Sequence, residues 1–100
     1  MISETTIRKV RELAIEDVLS PYVRLSRKGS TLMGLCPFHS EKTGSFAVTP
    51  SKNLFHCFSC NRGGDSITFI MEKENLSFSA AVEFIARNHN IPIEYISEER

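Results

Sequence analysis

Three cysteines and one histidine are arranged in two short pairs, Cys36-Pro-Phe-His39 and Cys57-Phe-Ser-Cys60, with seventeen residues between the pairs. A two-residue gap lets a tight turn direct both side chains of a pair toward one ion, and zinc takes four nitrogen or sulfur ligands in a tetrahedron. The sequence therefore predicts one zinc ion bound by Cys36, His39, Cys57 and Cys60. Four protein ligands leave no open position for water, so the predicted site is structural rather than catalytic.

Other roles for these residues explain the pattern less well. A set of disulfides is excluded by the odd number of cysteines, and a redox pair at Cys57 and Cys60 would leave the Cys36 and His39 pair unexplained. His56 neighbours Cys57 in an alternating segment and should point to the opposite face, so His39 is the better ligand. His89 is predicted to be a surface histidine in the last helix.

The length of the chain makes a metal ion useful for stability. One hundred residues form a single small domain, in which apolar burial only narrowly exceeds the entropy of the unfolded chain. Binding at a structural zinc site contributes on the order of 10 kcal/mol, so the segment around the metal should be unfolded without it. No signal peptide or transmembrane run is recognisable, and we expect a cytoplasmic location.

Charge is balanced overall but unevenly distributed. Residues 1–62 carry nine Lys or Arg against five Asp or Glu, a balance of +4, and residues 63–100 carry −4. The basic residues cluster in the segment that holds the predicted zinc ligands. A local excess of about five charges is modest for a nucleic-acid-binding domain, so such contacts should be weak and salt-sensitive.

Helical periodicity is confined to the two ends of the chain. Residues 4–20 are predicted to form one or two helical segments that end before Pro21, with Ser3, Thr5 or Thr6 as N-cap candidates. Asp65 is predicted to cap a further helix, and a last helix should begin near Ser77 or Ser79. Its apolar stripe, expected to pack on the first helix, consists of Phe78, Ala81, Val82 and Ile85.

The middle of the chain has the character of short strands. Four antiparallel strands are predicted over residues 22–28, 31–35, 45–49 and 54–58, with turns at Gly29-Ser30 and Pro50-Ser-Lys-Asn53. Gly63-Gly64 is interpreted as a turn, and residues 91–96 as an edge strand or an exit segment. The predicted fold class is α+β, a small zinc ribbon with a short antiparallel β-sheet and flanking helices. No catalytic triad or phosphate-binding loop is recognisable.

Three motifs together resemble the N-terminal zinc-binding domain of bacterial DnaG-type DNA primases. They are Gly34-Leu-Cys-Pro-Phe-His-Ser-Glu-Lys-Thr-Gly-Ser-Phe46, Phe55-His-Cys-Phe-Ser-Cys60 and Gly63-Gly-Asp65. The resemblance covers almost the whole chain. It implies a module that engages single-stranded DNA template in a primosome, while a separate Toprim domain, which this chain lacks, polymerises ribonucleotides into RNA primers. The chain itself is therefore not expected to be catalytic.

The resemblance also implies how the chain is divided into segments and which partners it binds. A leading helical segment (1–21) is followed by the zinc ribbon (22–62), a helical pair (63–90) and an exit segment toward the absent catalytic domain (91–100). The implied partners are single-stranded DNA, the catalytic domain in cis or in trans, and a replicative helicase through the parent protein. The family usually has proline at Gly44 and glycine at Ser59 and Asn61, so template preference could differ and a phage or mobile-element origin stays open.

Basic and aromatic residues in the ribbon are candidates for contacts with nucleic acid. A sheet face that combines rings with cations suits base stacking and phosphate contacts on a single strand. Phe38, Phe58 and His56 are candidates for the stacking contacts. The cations predicted to contact phosphates are Lys42, Lys52, Arg62, Arg27 and Lys28. Lys42 and Lys52 are expected to lie near the zinc. The alternative is a zinc-stabilised adaptor that binds only protein, and salt-dependent affinity for single strands would distinguish the two.

Overall fold

The computed structural model describes residues 2–38, 46–58 and 61–96. Within these residues the chain forms four helices and one sheet of five antiparallel strands, which follow each other in the sheet in their order along the chain. The elements are α1 (Glu4–Glu12), α2 (Ile15–Leu19), β1 (Ser26–Lys28), β2 (Thr31–Gly34), β3 (Phe46–Thr49), β4 (Leu54–Cys57), β5 (Arg62–Gly64), α3 (Ser66–Glu74) and α4 (Phe78–Asn88). The predicted α+β class with a short antiparallel sheet and flanking helices is confirmed.

Polar caps fix the starts of three helices at residues that the sequence indicated. The side chains of Ser3, Asp65 and Ser77 each accept a hydrogen bond from the backbone N–H three residues further on. Such a cap satisfies a donor that the first helical turn otherwise leaves unpaired, and it is typically worth about 1 kcal/mol. Helix α3 ends at Asn75, which adopts a left-handed conformation with φ of 58°.

Alternation along the strands gives the sheet an inner face, which packs on the helices. Its side chains form two rows, one made of Leu32, Val48, Phe55 and Gly64 and the other of Gly34, Phe46, Cys57 and Arg62. Phe69 of α3 meets this face edge-on, with ring centroids 5.4 Å from Phe55 and 6.1 Å from Phe46. Because these three rings are buried, they join the sheet to α3 in one hydrophobic core.

The opposite, outer face of the sheet carries a different set of residues. Its central row consists of Ser26, Met33, Ala47, His56 and Gly63. Alternation places Leu54 and Phe58 on the same face, and these two side chains are 43% and 68% exposed. The two faces therefore separate the core of the domain from an exposed, partly apolar surface.

Helix α4 packs on α1 and α3 through part of the predicted stripe. Ala81, Val82 and Ile85 are fully buried, as expected. Phe78 is not part of the buried stripe, because its side chain is 37% exposed and lies near the guanidinium of Arg11, 5.9 Å from the ring centroid.

Two predictions about the strands are wrong. Gly63 and Gly64 belong to a fifth strand, β5, rather than to a turn. The first strand begins only at Ser26, because the N–H groups of Tyr22 and Val23 both bond to the carbonyl of Leu19 and continue the turn after α2. At the other end, residues 91–96 lie outside the five-stranded sheet and contact the start of the chain through an isolated bridge from Ile2 to Tyr95 and a hydrogen bond from the N–H of Ser3 to the carbonyl of Glu94.

Asn53 joins the β3–β4 turn to the N-terminal helices. Its side-chain amide donates to the carbonyls of Arg11 and Leu13, and its side-chain oxygen accepts from the N–H of Ile15, each at 2.9 Å. These bonds satisfy backbone groups at the junction of α1 and α2. None of the helices described is long and apolar enough to cross a membrane.

Candidate metal centre and sheet surface

Cys36 and Cys57 lie at the same end of the sheet, which we call the cysteine end. Phe46 pairs with Cys57 on one side and with Gly34 on the other, and Cys36 follows Gly34 by two residues. Both cysteine residues are buried, with 4% and 0% exposure. The connections from β2 to β3 and from β4 to β5 both cross this end of the sheet, so the two predicted ligand pairs belong to neighbouring loops.

The other two predicted ligands, His39 and Cys60, lie outside the described residues. The described part of the chain contains no group of three or more His, Cys, Asp or Glu side chains that could hold a metal ion. It holds only two of the four predicted ligands. Two buried thiols at one end of the sheet, one just after β2 and one at the end of β4, suit zinc, which prefers thiolate and imidazole donors in closed structural sites.

Local backbone geometry supports a compact loop at the second pair. The N–H of Asn61 bonds to the carbonyl of Cys57 at 2.8 Å, and Asn61 adopts a positive φ of 58°. Just before the first pair, Gly34 lets β2 pass close to the segment that contains Arg24, since an added Cβ at Gly34 would lie 2.6 Å from the carbonyl oxygen of Arg24. The residues present therefore fit a zinc ion at the cysteine end.

His56 faces away from Cys57, as alternation predicted. Its imidazole lies on the outer face, is half-buried, and has its Nε2 3.3 Å from Oδ1 of Asn61. The ring of Phe58 packs against it with centroids 4.7 Å apart. His89, the third histidine, is the C-cap of α4, close to the predicted end of the last helix.

Arg62 is held on the inner side of the sheet. Its guanidinium forms an ion pair with Glu72 of α3 and lies 4.9 Å from the ring centroid of Phe38. Phe38 in turn contacts Phe55 and Phe69, so it belongs to the edge of the core. The ion pair with Glu72 offsets the charge of Arg62, which makes this residue a weaker candidate for a phosphate contact than the sequence suggested.

Lys52 does not lie near the predicted zinc site, contrary to the expectation from the sequence. It belongs to the β3–β4 turn, and this turn closes the hairpin at the end away from Cys57. Leu54, at the turn end of β4, is three residues from Cys57, which is about 10 Å along a strand. The error arose because the turn is close to the ligands along the sequence but at the other end of the strands.

Exposed cations lie along the free edge of the sheet. Arg27 and Lys28 are exposed in β1. Arg24, which precedes this strand, is also exposed, and alternation places it on the same face as Lys28. None of the three forms an ion pair within the residues described. Sequence analysis missed Arg24, although the alternation of Arg24, Ser26 and Lys28 could have placed it on one face with Lys28.

A shallow pocket of about 680 Å³ lies beside Arg24 and Lys28 on the outer face. It is lined by Arg24, Ser26, Lys28, Met33, Gly34 and Leu35. The lining thus combines two basic side chains with the apolar side chains of Met33 and Leu35, the latter 51% exposed. Lys42 lies outside the described residues, and its place relative to this surface is not assigned.

Comparisons with known proteins agree with the fold. The CHC2 zinc finger family matches residues 2–100. A DNA primase of Streptomyces coelicolor is 47% identical over 96 residues, which cover 94% of this chain and 15% of that protein. A DNA primase of Geobacillus stearothermophilus is 44% identical over 93 residues, covering 92% of this chain and 16% of the relative.

A solved structure is similar in both sequence and fold. The crystal structure of the zinc-binding and RNA polymerase domains of the Aquifex aeolicus primase matches with a TM-score of 0.78 at 41% identity. The match covers 85% of this chain and 21% of that one. The chain thus spans only about a sixth of the length of the curated relatives it matches.

Proposed function

The chain belongs to the CHC2 zinc finger family, and we propose that it is the template-binding zinc module of a bacterial DNA primase. Cys36, His39, Cys57 and Cys60 would hold one zinc ion, which supplies a structural crosslink between the two loops at the cysteine end. Primer synthesis would take place in another domain of the parent protein, in cis or in trans. Contact with a replicative helicase would also involve the parent protein.

The outer face of the sheet is the surface that we assign to single-stranded DNA. The observation that carries this assignment is that an exposed aromatic residue and unpaired cations share one face while the opposite face is packed in the core. Phe58 and His56 offer a stacking platform at the cysteine end, and Arg24 and Lys28 offer positive charge across the sheet. Base stacking on aromatic rings and phosphate contacts are the two components of sequence-tolerant single-strand binding.

The remaining predicted cations contribute less to the proposed DNA-binding surface. Lys52 lies in the turn beyond β3 and β4, at the end of the sheet where Lys28 also lies, and Arg27 is exposed at the β1 edge. Lys52 could add a phosphate contact to a strand that crosses the outer face toward that end, whereas Arg27 pairs with Leu32 and so belongs to the row on the opposite face. Lys42 remains a candidate through the resemblance of its Glu-Lys-Thr run, and Arg62 is the weakest candidate because of its ion pair with Glu72.

Fluorescence anisotropy with short labelled oligonucleotides, at several salt concentrations, tests the assignment. The double variant Arg24→Ala with Lys28→Ala should weaken binding and reduce the log–log salt slope by about 1.4, since each single-strand phosphate contact contributes roughly 0.7. Phe58→Ala should weaken binding while leaving the salt slope unchanged, because stacking releases no counterions.

The matched control is Arg8→Ala with Lys9→Ala, which removes two exposed charges from α1 instead of the sheet. It should leave the affinity and the salt slope close to those of the native chain. If both double variants weaken binding equally, only the net charge matters and the outer-face assignment is wrong. If the native chain does not bind single strands even at low salt, the protein-adaptor alternative replaces the proposal.

A further inference from the structure

The last part of the sequence, which contains α3 and α4, carries the opposite charge to the part that contains the basic sheet edge. Residues 63–100 contain seven Asp or Glu and three Lys or Arg, a balance of −4. Net negative charge repels phosphate, so this part of the chain is a less favourable site for DNA than the basic edge of the sheet. Any apolar depression on it is therefore a candidate site for a different class of partner.

Two neighbouring hollows lie on the surface of the helices, one on each side of Phe84. The larger, of about 420 Å³, lies between α2, α3 and α4, and its apolar lining includes Val18, Ile70 and Ile85. The smaller, of about 270 Å³, is lined by Leu76 and Ala80 among others. Phe84 and Asn88, one helical turn apart on α4, line both hollows, and we call the whole depression the Phe84 groove.

Two carboxylates, those of Asp17 and Glu83, line the Phe84 groove. Asp17 lines the larger hollow and has no ion-pair partner within the residues described. Glu83 lines the smaller hollow, accepts a hydrogen bond from the hydroxyl of Tyr95 at 2.7 Å, and lies 3.9 Å from the guanidinium of Arg87. Among the described residues, the acidic and basic side chains that line this groove are Asp17, Glu83, Arg87 and His89.

A third carboxylate is held close to the larger hollow by a tyrosine. The hydroxyl of Tyr22, a lining residue, donates to Oε2 of Glu74 at 2.7 Å. Burial, followed by this hydrogen bond, raises the pKa of Tyr22 to about 12, so the phenol remains a donor at neutral pH. This hydrogen bond holds the carboxylate of Glu74 beside the hollow.

We propose that the Phe84 groove binds a basic amphipathic helix of a separate protein. Apolar side chains of that helix would occupy the two hollows on either side of Phe84, and its Lys or Arg residues would lie near Asp17, Glu74 and Glu83. Paired hollows on an exposed helix surface match the helix-in-groove mode, in which anchors one turn apart enter adjacent depressions. Charge complementarity favours a basic partner over an acidic one and steers its approach.

Binding of a designed peptide tests this proposal. The probe is a fluorescein-labelled, helix-forming peptide with leucines at i and i+4 and flanking lysines, and its comparison peptide has glutamate at every lysine position. Asn88→Arg adds bulk and positive charge at a solvent-exposed position shared by both hollows, without altering a buried side chain. Ser79→Arg is the matched control, because it makes the same change of charge on α4 away from both hollows.

We expect the basic peptide to bind the native chain and the Ser79→Arg variant with similar affinity, and the Asn88→Arg variant at least tenfold more weakly. The glutamate peptide should not bind. The proposal is overturned if the basic peptide does not bind the native chain, if both variants respond alike, or if the glutamate peptide binds equally well. It is also overturned if Asn88→Arg changes affinity for single-stranded DNA more than Ser79→Arg does, because the groove would then belong to the nucleic-acid surface.

Discussion

Individual side chains decide how the ribbon is attached to the helices. Asn53 combines a positive φ of 57° with three hydrogen bonds to the α1–α2 junction, 38 to 42 residues away in sequence. The sequence indicated a turn at Pro50-Ser-Lys-Asn53, because these residue types favour turns. It could not indicate where the amide of Asn53 bonds, since the partners are backbone groups brought close only by the tertiary fold.

Replacement of Asn53 with glycine should lower the free energy of unfolding by roughly 2 kcal/mol, because three hydrogen bonds of modest net value are lost. Glycine tolerates the positive φ, so this variant isolates the contribution of the bonds. Asn53→Ala should lose about 1 kcal/mol more, from the cost of a left-handed conformation for a residue with a Cβ. Urea unfolding measures both values.

Asn90→Gly provides the control for Asn53. Asn90 also has a positive φ, 60°, but it is exposed and its side chain forms no hydrogen bond within the described residues. Its replacement should change stability by only a few tenths of a kcal/mol. An Asn53→Gly variant as stable as Asn90→Gly would show that the junction bonds do not stabilise the fold.

At the scale of elements, the helices were the most predictable part of the chain. Ser3, Asp65 and Ser77 each combine a capping side chain with a following apolar stripe, and both signals are local. Strand β5 was missed because Gly63 and Gly64 have no side chains that favour a strand. It forms through pairing with β4, where an added Cβ at Gly63 would lie only 3.0 Å from the carbonyl oxygen of Phe55.

Loss of one predicted zinc ligand should destabilise the sheet more than helices α3 and α4. Cys60→Ser should abolish zinc binding and unfold the ribbon, because the short strands around the cysteine end depend on the metal for much of their stability. Helices α3 and α4 should remain partly formed, since their contact with each other and their own caps do not involve the metal. Circular dichroism with amide NMR distinguishes retained helix from lost sheet.

His56→Ala is the control for ligand loss. It removes a histidine adjacent in sequence to Cys57 but directed to the outer face, so zinc content and the sheet should both be retained. Unchanged circular dichroism and thermal stability in Cys60→Ser would contradict the assigned ligand set. Loss of zinc in His56→Ala would do the same.

At the scale of the whole molecule, charge is distributed unevenly along the chain and in the fold. The sequence already showed a basic first part and an acidic last part. The fold adds that the exposed cations at the β1 edge border the outer face, whereas the Phe84 groove on the helices is lined by two carboxylates. Lys52 shows that closeness along the sequence to the predicted ligands does not ensure closeness to them in the fold. The direction of the strands decides which end of the sheet a turn occupies.

The central claim is that Cys36, His39, Cys57 and Cys60 hold one structural zinc ion, and X-ray absorption at the zinc edge tests it most directly. Protein purified without chelator should contain about one equivalent of zinc, with three sulfur ligands at ~2.3 Å and one nitrogen ligand at ~2.0–2.1 Å. A zinc content below about half an equivalent, or a first shell of oxygen or of four sulfur atoms, would contradict the account.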